Sequence, residues 1–148
     1  MLKKITAFIP MVFGLVALTT AQESKIYTHE QKAFQDALAL YNNEQYQAAQ
    51  TIFDKVKVTS KDEETVANSA YYAANAAVRL NQIGADRLME DFVEKYPTST
   101  KRNSAFADVA EYYFQTGKYP YALKWYDKVD QKSLSRGEMD KFNFNYGY

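Results

Sequence analysis

The sequence contains no cysteine, a single histidine, and only three prolines and five glycines among its 148 residues. The absence of cysteine excludes disulfides, thiolate metal ligands and a cysteine nucleophile. Scarce glycine and proline beside 16% aromatic residues are typical of ordered helical chains rather than of disordered ones. The chain is therefore expected to fold, and to do so without covalent cross-links.

Charge of neither sign is in excess, because Lys plus Arg and Asp plus Glu both number 18. Without a basic field the chain lacks the electrostatic attraction that recruits nucleic acid, so nucleic acid is not expected as a partner. A length of 148 residues suits one compact domain or a few small repeats.

The first 21 residues have the pattern of a secretory signal peptide. Two lysines near Met1 precede an apolar run over residues 5–18, and small residues at 19–21 come before Gln22. Cleavage after Ala21 is therefore predicted. A permanent membrane anchor is the alternative, but the run of about 14 residues is shorter than the roughly 20 that a spanning helix needs. No membrane span is expected after cleavage.

From residue 30 onward, apolar residues recur with helical spacing, as at Ala33, Ala37 and Tyr41, and no strand pattern is present. Residues suited to helix N-caps occur at 59–62, 97–100 and 133–135 and separate the helical stretches. The chain is therefore predicted to be all-α, with helices over residues 30–43, 45–58, 62–81, 83–95, 102–116, 119–130 and 135–148.

Two series of residues repeat along these helices. On the second helix of each predicted pair, an aromatic residue or its substitute, an alanine and two bulky residues follow one another at fixed offsets. The three copies are Tyr46, Ala49, Phe53, Val56; Gln82, Ala85, Met89, Phe92; and Tyr119, Ala122, Tyr126, Val129. On the first helices, small residues recur at Ala37, Ala73, Ala110 and Gly147. Both series have a period of 36 to 37 residues, which indicates a helical repeat protein.

Packing between antiparallel helices explains why these positions carry small residues. A small side chain on one helix lets its neighbour approach to roughly 8 Å, and the bulky residues then fill the gaps further along. Both small-residue series are therefore predicted to be packing positions.

The third copy resembles a tetratricopeptide repeat. Its residues Ala110, Tyr113, Gly117, Tyr119, Ala122, Tyr126 and Val129 have the order of small and aromatic residues of that family. The first copy departs from the pattern with Glu44 at the turn glycine, and the second with Leu80 there and Gln82 for its aromatic. The segment 91–97, DFVEKYP, is similar to helix endings in bacterial envelope members of the family.

The resemblance implies a right-handed α-solenoid whose first helices line a groove for a partner segment. It divides the chain into a lead-in over residues 22–29, repeats over 30–60, 61–98 and 99–134, and the first helix of a fourth repeat over 135–148. No polar capping helix follows, so a longer array is expected. The alternative is that the aromatic end docks on its own body.

Helical geometry selects the side chains that would face this groove. They are Phe34, Leu38, Tyr41 and Asn42 in the first unit, Ala74 and Val78 in the second, and Glu111, Phe114 and Gln115 in the third. Such an apolar lining suits an extended or helical apolar segment of a partner protein. The alternative, that the aromatics belong to the core, is equally open for Phe34 and Phe114.

No catalytic, cofactor or metal site is predicted. His29 lies in the predicted lead-in, and one histidine without cysteine cannot form the usual metal cluster. The acidic run at 62–64 suits a helix N-terminus. The pair Glu23-Ser24 echoes a glutamate–serine pair of helical cell-wall lyases, but it falls in the lead-in, where no pocket could raise the glutamate pKa.

The predicted function is that of an exported, non-enzymatic scaffold or adaptor that binds envelope proteins. The expected location is the periplasm or the periplasmic face of the outer membrane. A permanent structural subunit of an outer-membrane or secretion complex is the alternative. Less favoured is the non-catalytic N-terminal part of a cell-wall enzyme.

Overall fold

A computed structural model describes residues 29–147, which form seven α-helices and a short 3-10 helix and contain no strand. The all-α prediction is confirmed. The helices are α1 (29–42), α2 (Tyr46–Thr59), α3 (Glu63–Arg79), α4 (Ala85–Lys95), α5 (Ala105–Gln115), α6 (Tyr119–Tyr126) and α7 (Arg136–Gly147), with the 3-10 helix at Gln131–Ser133. The predicted signal peptide and most of the lead-in lie outside the described residues. His29, predicted to belong to the lead-in, is helical.

Two helices begin at side-chain caps. At the start of α3, the Asp62 carboxylate accepts a hydrogen bond from the Thr65 N–H at 2.8 Å, as the acidic run predicted. At the start of α7, the Ser135 N–H donates to the Glu138 carboxylate at 2.8 Å, and the Glu138 N–H donates to Ser135 Oγ at 3.4 Å. This reciprocal pair is a capping box, which satisfies two otherwise unpaired backbone donors.

One turn geometry occurs three times between helices. The residue that ends the turn has a positive φ, 61° at Glu44, 54° at Asn81 and 73° at Gly117. In each turn the next N–H donates to the carbonyl five residues earlier: Gln45 to Leu40 at 2.9 Å, Gln82 to Ala77 at 3.0 Å, and Lys118 to Tyr113 at 2.8 Å. This is the Schellman arrangement that ends helices.

The second of these turns corrects the prediction for Leu80. The left-handed position is Asn81, one residue later, so α3 carries one more residue before its turn. Asparagine tolerates this conformation because its short polar side chain bonds locally. Gly84, with φ of 82°, then adds another turn, and α4 begins at Ala85 rather than at residue 83.

Two other boundaries differ from the prediction because local turns replace helix. Hydrogen bonds from the Ser99 N–H to the Tyr96 carbonyl and from the Arg102 N–H to the Ser99 carbonyl, both 3.1 Å, delay α5 until Ala105. After α6, the Asp130 carboxylate accepts from the Lys132 N–H at 3.1 Å and begins the 3-10 helix.

The small residues of both series are buried, with one exception. Ala37, Ala49, Ala73, Ala85, Ala110 and Ala122 are each at most 3% exposed. Gly147 is the exception and a correction: it is exposed, and a Cβ added to it would meet no atom within 4 Å. It lies in the last turn of α7, where no described helix packs against it.

The helices α2 to α6 pack mainly against their neighbours in the chain. The helices α1, α3, α5 and α7 are called the first helices, and α2, α4 and α6 the second helices. Contacts also join α3 to α5 and α5 to α7, so successive first helices lie side by side. Two hydrophobic clusters result: Ala37, Ala49, Phe53 and Ala73 form the smaller one, and Trp125 is the largest fully buried side chain of the other. Tyr72 packs against both.

Candidate functional site on the first helices

The side of the first helices predicted to bind a partner is called the first-helix face, and its nine predicted residues differ widely in exposure. Asn42 and Gln115 are exposed. Five side chains are half-buried: Phe34, Leu38, Tyr41, Glu111 and Phe114. Ala74 and Val78 are buried.

The burial of Ala74 and Val78 corrects their assignment to the groove. Helix α3 packs against α2, α4 and α5, so it is enclosed on several sides and nearly all of its small side chains belong to the core. Ala74 lies beneath a cleft between α2 and α4 instead, and Val78 has no exposed surface. Val78 therefore cannot contact a partner, and Ala74 is not part of the first-helix face.

The predicted aromatics of α1 take part in an aromatic cluster. The Phe34 ring lies 5.6 Å from Phe53 and 6.2 Å from Tyr72, and the Tyr41 ring lies 5.2 Å from Tyr72. Leu38 packs against the same cluster. These side chains therefore stabilise the pairing of α1 with α2 and α3, and they retain a partly exposed edge for contact with a partner.

An arginine lies among three tyrosine rings at the C-terminal end of α3. The guanidinium carbon of Arg79 is 5.2 Å from the Tyr41 ring centre, 5.7 Å from that of Tyr46 and 5.1 Å from that of Tyr112. Its Nη1 donates to the Asn75 side chain at 2.8 Å. Because a guanidinium is planar and stacks well on aromatic faces, this cluster links the ends of α1, α2, α3 and α5.

A partly buried carboxylate joins α5 to α3. The Tyr71 hydroxyl donates a hydrogen bond to the Asp108 carboxylate, and the Lys101 ammonium lies 5.6 Å from the Tyr71 ring centre. Burial raises the pKa of Asp108 above its ordinary value of 3.8, although the hydrogen bonds from Tyr71 and Ser104 oppose this effect. Burial and the negative charge of Asp108 also raise the pKa of Tyr71. The charged form of Asp108 is therefore less favourable here than in water. The carboxylate faces a hollow between two helices.

That hollow lies between α5 and α7 and has a volume of about 450 Å³. Three carboxylates line it, those of Asp108, Glu111 and Glu138, together with the single cation Lys141. The Lys141 ammonium is 3.3 Å from Glu111. Hydrogen bonds from Ser135 hold the pKa of Glu138 below its ordinary value, so this carboxylate stays charged. The hollow therefore favours basic groups.

A second hollow, of about 600 Å³, lies between α1 and the start of α3. Phe34 is its aromatic residue, and polar residues make up most of the rest: Gln31, Lys32, Gln35, Asp62, Glu64, Thr65 and Asn68. Both hollows thus lie between successive first helices, and one predicted residue lines each of them, Phe34 here and Glu111 in the other. Their linings combine polar and apolar groups, whereas a mainly apolar groove was predicted from the sequence.

Arg79, Asp108 and Lys141 were missed by the sequence analysis. A signal for one of them existed, because Tyr71 and Asp108 are 37 residues apart and so hold the same position in successive units. A comparison of polar positions across the units would have indicated that contact. The position of Arg79 among tyrosines of three other helices depends on the packing and has no local signal.

Other candidates for chemistry are accounted for locally. His29 is exposed on α1, and Glu63 and Glu64 lie in the first turn of α3, where negative charge favours the helix N-terminus. Residues 29–147 contain no group of three or more side chains able to hold a metal ion. Over the same range, no helix is long and apolar enough to cross a membrane.

No family model, no curated protein and no solved structure matches this chain. The resemblance to tetratricopeptide repeats therefore depends on its residue pattern alone, and the function must be argued from the packing and the surfaces described above.

Proposed function

We propose that the chain is a tetratricopeptide-like α-solenoid that holds a partner protein on its first-helix face. The observation that carries the proposal is the recurrence of one left-handed turn, with one pattern of hydrogen bonds, at intervals of 37 and 36 residues. Alanines buried at corresponding points of three helix pairs support the same period. Stacked helix pairs of this kind create extended binding surfaces.

The partner segment is proposed to lie across successive first helices. The hollow beside Phe34 offers an aromatic edge, and the hollow beside Glu111 offers carboxylates that attract a lysine or arginine. A segment with mixed apolar and basic side chains fits this surface better than the wholly apolar segment that the sequence suggested. The proposed role is that of a scaffold or adaptor and is not enzymatic.

Export to the bacterial cell envelope is part of the proposal. It rests on the sequence pattern of residues 1–21 and on the likeness of residues 91–97 to envelope repeat proteins. We expect the exported protein to begin at Gln22, which N-terminal sequencing of the protein from periplasmic extract will check. An intact N-terminus at Met1 in that fraction would contradict it.

Photo-crosslinking tests the binding face directly. A photoreactive amino acid is placed singly at Gln35 or Gln115, which are exposed on first helices, and at Gln47, which is exposed on α2. We expect Gln35 and Gln115 to form an adduct with the same partner protein in intact cells, identified by mass spectrometry. The matched position Gln47 is expected to give none.

The substitution Glu111→Lys then tests the charge preference. We expect it to reduce the adduct formed through Gln115 several-fold, because it reverses a charge in the hollow. Adducts through Gln47 alone, or none from either first-helix position, would refute binding at this face.

A permanent subunit of an envelope complex is the second candidate. Large apolar side chains are exposed on α6 and α7, namely Tyr119, Tyr121, Leu123, Phe144 and Tyr146. Exposed apolar surface of this kind is typical of interfaces that form once and stay closed. Size-exclusion chromatography of extract distinguishes the two: a permanent subunit elutes only in a large complex, whereas an adaptor also elutes as free protein.

A further inference from the structure

The gap between α4 and α6 is closed by an aromatic residue and an ion pair. Trp125 of α6 is fully buried, and its ring lies 5.5 Å from that of Phe106 on α5. The Lys128 ammonium lies 4.8 Å from the Trp125 ring centre and pairs with Glu90 of α4. A second ion pair, Lys124 with Asp86 at 3.7 Å, joins the same two helices.

The corresponding gap between α2 and α4 is open. It forms a cleft of about 310 Å³ whose floor consists of Ala70, Ala73 and Ala74 of α3. Leu88 lines the cleft and is 42% exposed, although it is a large apolar side chain. A cleft of this size with an apolar floor is at the lower end of the range for ligand sites, roughly 300–1,000 Å³.

The repeat explains why one gap is closed and the other open. A shift of 37 residues takes Ser69, Leu88 and Asp91 to Phe106, Trp125 and Lys128. A shift of 36 residues takes Asp54 to Glu90. In the open cleft, Leu88 thus replaces the Trp125 ring and Asp91 replaces the lysine of the closed gap. Ser69, the counterpart of Phe106, is buried and does not line the cleft.

Two carboxylates, Asp54 and Asp91, and two lysines, Lys57 and Lys95, line this cleft. Neither carboxylate pairs with the opposite helix. Asp54 pairs with Lys57 of its own helix at 2.7 Å, and Asp91 pairs with Arg87 of its own helix at 3.8 Å. Pairs within one exposed helix surface contribute little and exchange readily. Nearby, Gln50 of α2 and Gln82 in the turn before α4 exchange two hydrogen bonds at 3.0 and 2.8 Å.

We propose that this cleft binds a partner segment in which an aromatic residue is followed three positions later by a lysine or arginine. The aromatic ring would lie over the alanine floor beside Leu88, as the Trp125 ring packs against Phe106 of α5. The cation would reach Asp54 and Asp91, as Lys128 reaches Glu90. Burial of one aromatic ring supplies most of the binding energy of such a contact, and the charge pair sets its register.

This site involves the second helices and is separate from the first-helix face. It does not depend on partner binding at that face, although the comparison of the two gaps uses the same repeat. The probe for it is therefore a labelled peptide that copies residues 119–129, which contain the aromatic residue and the lysine at the required spacing.

Fluorescence anisotropy measures binding of this peptide to the whole protein. We expect saturable binding, weakened about tenfold or more when the peptide carries Trp125→Ala. In the protein, Leu88→Trp fills the cleft with its own ring and should weaken binding to a similar extent. The control Ile83→Trp, at a fully exposed position that does not line the cleft, should leave the affinity unchanged.

A charge exchange provides a second, independent readout should Leu88→Trp disturb folding. Asp91→Lys in the protein should weaken binding of the peptide, and Lys128→Glu in the peptide should restore it. Absence of binding, or binding that neither Leu88→Trp nor Asp91→Lys weakens, would overturn the proposal. Binding that Glu90→Gln affects and Leu88→Trp does not would show displacement of α6 and would also overturn it. The crosslinks at Gln35 and Gln115 test binding at the first-helix face, so their outcome does not depend on these peptide-binding results.

Discussion

At the scale of single residues, the protonation of Asp108 is tied to the fold. Its pKa is raised in the folded protein, mainly because the carboxyl is buried, and Glu111 and Glu138 add to the effect. The folded state therefore binds this proton more tightly than the unfolded chain does. The contribution of Asp108 to stability is greatest at low pH and falls as the pH rises from 3.8 through the raised value.

The substitution Asp108→Asn should remove this dependence. An asparagine still accepts the hydrogen bond from the Tyr71 hydroxyl but carries no charge to bury. We expect the variant to be at least as stable as the parent at pH 7, and its stability to stay flat where that of the parent falls. Urea unfolding at a series of pH values from 3 to 7 will check this. A steeper fall in the variant would show that the charge itself stabilises the fold.

The surroundings of single side chains are also what the sequence predicted least well. The nine side chains assigned to the groove were selected by position within each helix, which is a local property. Ala74 and Val78 are buried because three other helices enclose α3, and that enclosure is a tertiary property. Arg79 similarly acquires its tyrosine neighbours only when four helices have packed.

At the scale of helices and turns, the sequence was far more informative. All seven helices were predicted within a few residues, because apolar spacing and capping residues are local signals. The errors are also local: Gly84 delays α4, and the turns after Tyr96 delay α5. The turns at Glu44 and Asn81 could not be predicted from a glycine, because only the third turn has a glycine, Gly117, at the left-handed position.

Glu44→Gly should therefore stabilise the protein. Glu44 has φ of 61°, a conformation that costs an ordinary residue about 1 kcal/mol and glycine almost nothing. We expect the free energy of unfolding to rise by roughly 0.5–1 kcal/mol in urea titration, because the relieved strain exceeds the entropy that glycine adds to the unfolded chain. Glu64→Gly, in the first turn of α3, is the control and should destabilise, since glycine inside a helix is unfavourable. If Glu44→Gly lowered the free energy of unfolding, the Glu44 side chain would make a contact that stabilises the fold by more than the backbone strain destabilises it.

The close approach of α1 and α2 makes a second prediction at this scale. Ala49 is fully buried, whereas its neighbour Ala48 is exposed on the same helix. Ala49→Leu should overpack the helix pair and cost about 1–3 kcal/mol, while Ala48→Leu should be nearly neutral. Thermal unfolding of the two variants provides the comparison. Equal melting temperatures would show that the alanine does not set the distance between the helices.

At the scale of the whole molecule, the described helices hold two hydrophobic clusters rather than one. The smaller is centred on Phe53 and joins α1, α2 and α3, and the larger extends from α3 to α7. Chains in which helices pack chiefly on their neighbours open in parts, because few contacts link distant segments.

Phe53→Ala should consequently act on one end of the molecule. Loss of this fully buried ring should cost about 3–5 kcal/mol locally. We expect hydrogen exchange to accelerate in α1 and α2 while α5 and α6 remain protected. Val58→Ala, at an exposed position of the same helix, is the control and should change neither region. Uniform loss of protection along the chain would show that it unfolds as one cooperative unit.

The three turns at Glu44, Asn81 and Gly117 bear on how a chain of this kind grows. Each turn closes through bonds between residues no more than five apart, so its geometry is contained within the segment that it ends. If a helix pair were duplicated, its turn would be duplicated with it, and the turns already present would not have to change. Glutamate, asparagine and glycine occupy the left-handed position in the three turns, so the same backbone turn forms with three different residue types.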